Sequence, residues 1–281
     1  MKAGAAGSAV LLGCDFSSAP TRRKPIVVAL GQAQGPVVRL LGLAHFATLD
    51  GWAQWLAAQP AWVGAFDFPF GLPRELVQAL GWPSEWEACI RHYAGLGRPE
   101  VRQAFAAFCA ARPAGGKFAH RTTDGPAGAS PSMKWVNPPV AYMLHAGVPR
   151  LLEAGARMPG LGGRAGAPRI ALEGYPGLLA RELIGRRSYK SDDRQRQSPE
   201  RAAARRDLLA ALQRGSPRLG MRLRLSSAQA AALVADAQGD GLDAALCLVQ
   251  AAWAAARQEA PGPGYGLPAH MDPLEGWIVT A

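Results

Sequence analysis

Three apolar runs in this chain end on an acid: "VLLGCD" at Asp15, "AWVGAFD" at Asp67 and "RIALE" at Glu173, each with a proline not far beyond. Short runs rich in Val, Ile and Leu and bounded by turn formers read as buried strands. A carboxylate at the tip of such a strand is costly to bury unless a cation, a basic partner or a hydrogen-bond network meets it. One such acid is ordinary; the recurrence of the same context is what points to a common site. The first run also has the look of a lipoprotein cleavage box, Leu11-Leu12-Gly13-Cys14. A single Lys2 and an apolar stretch from Ala9 to Leu12 fall short of the roughly 7–15 apolar residues that a signal peptide needs. The expectation is therefore a strand in which Cys14 packs into one layer while Asp15 faces the site, because neighbouring side chains on a strand point opposite ways.

The chain has 281 residues with 49% hydrophobic content, enough for a single domain over 1–281 with an insertion at about 74–168. No run approaches the roughly 18 apolar residues of a membrane helix, so no membrane partner is expected. The four cysteines form no C-x-x-C pair, which argues against a zinc site and for reduced, buried thiols in a cytoplasmic protein. The formal charge of +10, shared by both halves, favours polyanionic partners. An excess of Arg over Lys amid abundant Ala, Gly and Pro fits compositional bias equally well.

Strands over Ala9–Phe16, Ile26–Leu30 and Val37–Leu43, separated by turn formers, suit a meander. Asp50 is placed to cap a helix whose apolar face carries Trp52, Trp55 and Leu56. Within the insertion, Pro73 opens a short helix, and Ser84 with Glu87 forms a capping-box pattern for a helical region through Ala111, broken near Gly95–Pro99. Residues 112–139 read as a long loop, a length that is usually functional or disordered. Ser198-Pro199 opens another helix, Ser226 with Gln229 caps the next, and the last long helix begins at Asp240.

Two divalent ions roughly 3.5–4 Å apart would neutralise a cluster of carboxylates, since each demands several hard oxygen ligands. Asp240 and Asp243, three residues apart at a helix start, fall on one face where the helix dipole favours negative charge. Each acid also has an ordinary structural role open to it: Asp240 as a cap, Asp243 in the first turn, Asp67 as a turn carboxylate, Glu173 as the partner of an arginine.

The ordered set "GCDFSS", "FDFPFGLP", "ALEGYPGLLARELIG", "SYK" and "DGLDAALCLVQAAW" resembles the domain-of-unknown-function 429 family, predicted nucleases with a ribonuclease-H-like fold. The resemblance implies an α/β fold, a mixed five-stranded sheet flanked by helices, with a helical and loop insertion after the fourth strand. It implies acids on the first, fourth and fifth strands and the last helix: Asp15, Asp67, Glu173, Asp243 and Asp240. The paired acids on the last helix are also similar to those of Holliday-junction resolvases. The implied chemistry is phosphodiester hydrolysis assisted by two Mg2+ or Mn2+ ions, with Lys190 near the scissile phosphate as a point charge. A solvated surface lysine is the plainer reading of Lys190.

Nucleic acid is the expected partner. The long loop combines Lys117, His120, Arg121 and Lys134 with Phe118 and Trp135, the cations and rings that a single-stranded channel uses. A lid packing its aromatics onto the core is the alternative. Arg201 and Arg205 share a helix face that could follow phosphates, or could form a salt-bridged solvent face. Two rival functions remain open: a non-catalytic nucleic-acid-binding protein of the same fold, and an actin-like or sugar-kinase-like phosphotransferase. The latter expects a glycine-rich turn after the first acid, where "DFSSAP" has none, although Gly71 after Asp67 keeps it alive. Trp-rich helices and Ala-rich surfaces are compatible with a homodimer.

Overall fold

The computed structural model describes residues 10–281; Ala9, the expected start of the first strand, and Lys2 lie outside the described residues. β1 (Val10–Asp15), β2 (Ile26–Gln34) and β3 (Val37–Phe46) form an antiparallel meander. α1 (Leu49–Ala58) leads to β4 (Trp62–Phe66), which runs parallel to β1. Thr48 rather than Asp50 caps α1, its side chain accepting the Gly51 N–H, while Asp50 sits in the first turn.

The insertion holds α2 (Arg74–Ala79), α3 (Trp86–Gly95), α4 (Arg98–Ala110), α5 (Asp124–Ala127), α6 (Val140–Glu153) and two short strands, β5 (Arg157–Met158) and β6 (Gly162–Gly163). Glu85 caps α3 in place of Ser84 by accepting from the N–H groups of Glu87 and Ala88. β7 (Arg169–Glu173) then pairs in parallel with β4. The chain continues through α7 (Pro176–Ile184), α8 (Pro199–Arg214), β8 (Arg222–Arg224), α9 (Ser227–Ala235) and α10 (Asp240–Ala255). Ser198 and Ser226 cap α8 and α9 through the N–H groups of Arg201 and Gln229.

The strands join one mixed sheet in the order β6-β5-β7-β4-β1-β2-β3-β8, so the described sheet has eight strands where five are expected. The three additional strands are two or three residues long, too short for a hydrophobic period to reveal them. β5 and β6 extend one edge from the insertion, and β8 pairs with β3 at the other.

Each face of the sheet buries its own layer. Leu12, Cys14 and Phe66 pack with Trp52 and the insertion helices on one side. Leu11, Val27 and Ile170 pack beneath α7, α8 and α10 on the other. α10 lies directly on β1 because Gly13 has no side chain: a Cβ there would stand 2.1 Å from both the Ala244 carbonyl oxygen and the Leu248 nitrogen. All four cysteines are free and buried. No helix among the described residues is long and apolar enough to cross a membrane.

Candidate metal centre

Strand alternation decides which acids meet. Leu12 and Cys14 enter the Trp52 layer while Leu11 and Gly13 face α10, so Asp15 also projects toward α10. Asp67 follows Phe66, which shares the face of Cys14, and so turns the same way as Asp15. Asp243, fully buried in the first turn of α10, reaches down to both. One carboxylate oxygen from each of Asp15, Asp67 and Asp243 lies within 4.8 Å of the other two.

The three are unequally served by donors. Tyr189 donates its hydroxyl to Asp243 Oδ1 at 2.5 Å, and the Lys190 ammonium pairs with Oδ2. Asp15 is only 8% exposed, yet among the described residues no hydrogen bond or ion pair reaches its carboxylate or that of Asp67. Burial lifts Asp15 well above the usual carboxylate range; Asp243 adds to the shift and Lys190 opposes it. Asp67 is pushed up to about 7, by burial first, with Lys190 pulling down and Asp243 and Glu173 pushing up. Burial works against the charge on Lys190, but Asp243, Tyr189 and Asp15 outweigh it and hold its pKa above the ordinary lysine value.

No protein-family model, curated protein or solved structure matches this chain.

Two of the five expected ligands are not brought to the cluster. Across β1, β4 and β7 the residues Cys14, Phe66 and Glu173 are in register, so Glu173 shares their face and turns away from Asp67. Its carboxylate accepts two bonds from Arg121, at 2.7 and 2.6 Å, and one from the Phe70 N–H at 3.0 Å. The next residue, Gly174, is the one beside α10, close to Cys247. Asp240 is not the helix cap: Gly239, with φ of 78°, takes that position, and Asp240 begins the helix. The carboxylate of Asp240 takes the Lys24 ammonium at 2.6 Å, which also reaches Asp192 at 2.6 Å. Gly239 matters twice, since a Cβ there would stand 2.8 Å from Cβ of Lys190. It permits the left-handed turn and lets Lys190 lie against the start of α10.

Most of the expected nucleic-acid contacts are likewise structural. Arg121, 2% exposed, is held between Asp124 and Glu173. Arg205, 5% exposed, donates to the carbonyls of Val234 and Tyr189, and Arg201 donates to the Lys190 carbonyl. This stripe of α8 turns inward with Ala204 and Leu208, so it grips the Tyr189–Lys190 segment instead of facing solvent. Trp135 packs on Phe118 with ring centroids 5.6 Å apart, and both rest on the core as a lid would. Lys117 is exposed and Lys134 partly so. Gly71 is wedged against the backbone of Leu274 and Glu275, where a Cβ would stand 2.3 Å from a carbonyl oxygen. It therefore offers no phosphate turn of the phosphotransferase kind.

Tyr189 and Lys24 escaped the reading of the sequence. Tyr189 sits inside "SYK", where its place beside Lys190 is the one available signal; Lys24 lies in a turn with no pattern to mark it.

A cleft of about 300 Å³ opens beside the acids. Asp67, Tyr189, Lys190 and Asp243 line it together with the paired Arg121 and Glu173, and Pro138, Val140 and Met143 of the insertion stand among its other walls. The arrangement presents hard oxygen ligands and an ammonium along one cleft.

Proposed function

We propose that this protein is a divalent-metal-dependent phosphodiesterase of nucleic acids, a nuclease built on a ribonuclease-H-like sheet. The observation that carries the reading is the convergence of Asp15 and Asp67 on Asp243 without donors of their own. Three carboxylates this close, with one ammonium among them, leave like charges unbalanced, which a cation would offset. Three carboxylates, from two strand tips and one helix, fit Mg2+ or Mn2+, which prefer all-oxygen ligand sets. Support also comes from the central run β3-β2-β1-β4-β7, whose first and fourth strands in chain order deliver Asp15 at the end of β1 and Asp67 just past the end of β4, as the resemblance to the domain-of-unknown-function 429 family implies. The net charge of +10 suits a polyanionic substrate.

When bound, such a cation supplies Lewis acidity toward a phosphoryl oxygen and makes water more acidic. Asp15, Asp67 and Asp243 would hold it, with the Tyr189 hydroxyl fixing the orientation of Asp243. Lys190 lines the cleft, where its ammonium can turn from Asp243 to a phosphate oxygen. A second ion would draw on Asp240 in exchange for its bond to Lys24.

The test is a nuclease panel of single-stranded, duplex, hybrid and branched substrates with Mn2+ present. Cleavage should appear with the native chain and vanish with Asp67→Asn. Cleavage that persists in that variant comes from a contaminant or another site, and the reading then fails.

A further inference from the structure

We infer that the substrate is the free end of a single-stranded nucleic acid, its terminal nucleoside in the cleft and its next phosphates in an arginine-lined groove. This rests on the phosphodiesterase reading above. The cleft, at about 300 Å³, sits at the lower end of the roughly 300–1,000 Å³ of small-molecule sites. Its lining holds the cluster acids Asp67 and Asp243 with the Lys190 ammonium, where a phosphate belongs. Tyr175, Val140 and Met143 offer a ring and apolar surface that suit a base. A base paired inside a duplex reaches such a cleft only by leaving its stack, at a cost of a few kcal/mol that is least for a single strand.

A second groove, of about 540 Å³, shares Gly177, Tyr189 and Lys190 with the cleft and continues from it. Its wall carries Arg181, Arg186 and Arg187 and no acid. Arg181 is held by the Gly128 carbonyl and the Tyr175 ring, and Arg187 pairs with Asp207. Arg186 is exposed and has no hydrogen-bond or ion-pair partner among the described residues, so its charge is available to a phosphate. Lys190 stands at the junction, which places the scissile phosphate there. Beyond Lys190, the described residues that line the cleft hold no free cation. Ala129, Ser130 and Ile278 are uncharged, and Arg121 is already occupied by Asp124 and Glu173. A strand has phosphate contacts on one side only, which makes it an end. Hydrolysis forms one P–O bond to a water oxygen and breaks the P–O bond at the junction. One water proton goes to the leaving oxygen and the other to the new phosphate monoester or to solvent.

The test uses the full chain with Mn2+ and five probes: bis(p-nitrophenyl) phosphate, linear single-stranded DNA and RNA, the same strand circularised, and a blunt duplex. Linear strands should shorten stepwise from an end, and whichever sugar is preferred identifies the polymer. Circular strands should react at least about tenfold more slowly because they have no end, and blunt duplex at least about tenfold more slowly given the unstacking cost. Arg186→Glu should raise KM for the linear strand more than for the small phosphodiester. Arg186→Ala should lower the salt dependence of strand binding by a slope of about 1. Circular strands cut as fast as linear ones would overturn the end preference and leave the phosphodiesterase reading standing. Failure to hydrolyse any probe, the small phosphodiester included, overturns both.

Discussion

Arg121 and Glu173 meet inside the core through two hydrogen bonds of 2.7 and 2.6 Å, the former 2% and the latter 4% exposed. The pair fastens the insertion to the tip of β7. Glu275 strengthens the same joint by accepting from the backbone N–H groups of Arg74 and Thr122, each at 2.8 Å. An acid at a strand tip beside the acidic cluster thus serves as an anchor.

Glu173→Gln should leave Mn2+ affinity within about twofold of native, because Glu173 lies outside the ligand set. Arg121→Met, which strands Asp124 and Glu173 without a counter-charge, should lower unfolding stability by about 3–5 kcal/mol in urea titrations. A large loss of metal affinity in Glu173→Gln would return that residue to the metal site.

Gly13→Ala should be among the most damaging small substitutions in the chain. Overpacking typically costs about 1–3 kcal/mol, and here the obstruction is helix backbone at 2.1 Å, so the upper end is expected. Because α10 carries Asp243, metal affinity should weaken along with the thermal midpoint. An unchanged midpoint would mean that α10 does not lie on β1 as described.

The contribution of Asp67 to the stability of the metal-free protein should fall as pH rises from about 4 to about 7. The carboxyl of Asp67 has its pKa raised from 3.8 to about 7 by burial and by neighbouring acids, against the pull of Lys190. A raised folded-state value contributes stability below the unfolded value that is lost as pH climbs through the folded one. The stability advantage of Asp67→Asn over the native chain should therefore grow across that window and level off above it. Paired denaturation curves in chelator check this, and a pH-independent difference contradicts it.

Arg205→Met should reduce stability by about 1–3 kcal/mol, the cost of leaving buried carbonyls of Tyr189 and Val234 unsatisfied. The salt slope of nucleic-acid binding should not change, which separates this residue from Arg186. A slope reduced by about 1 would make Arg205 a phosphate contact after all.

Much of the frame was legible because long strands and capped helices leave strong local signals. The meander, the acids at strand tips, the Ser198 and Ser226 caps and the start of α10 all follow from residue type and spacing. What local pattern lacks is register. Asp67 and Glu173 read alike in the sequence, and only the pairing of Phe66 with Glu173 shows that they face opposite ways. The same limit applies to cations: Arg121, Arg201 and Arg205 look like phosphate contacts until tertiary structure shows the carboxylates and carbonyls they satisfy. Lys24 and Asp240 lie 216 residues apart, and no spacing rule connects them.

The most direct test of the account is a calorimetric Mn2+ titration of the native chain beside Asp15→Asn and Asp67→Asn, with folding of each verified by circular dichroism. The native protein should bind the ion, and each variant should lose at least about tenfold in affinity, a loss that even outer-shell partners of a metal site commonly produce. Absence of native binding at millimolar Mn2+, or equal affinity in all three proteins, would contradict the claim that Asp15, Asp67 and Asp243 form a metal centre.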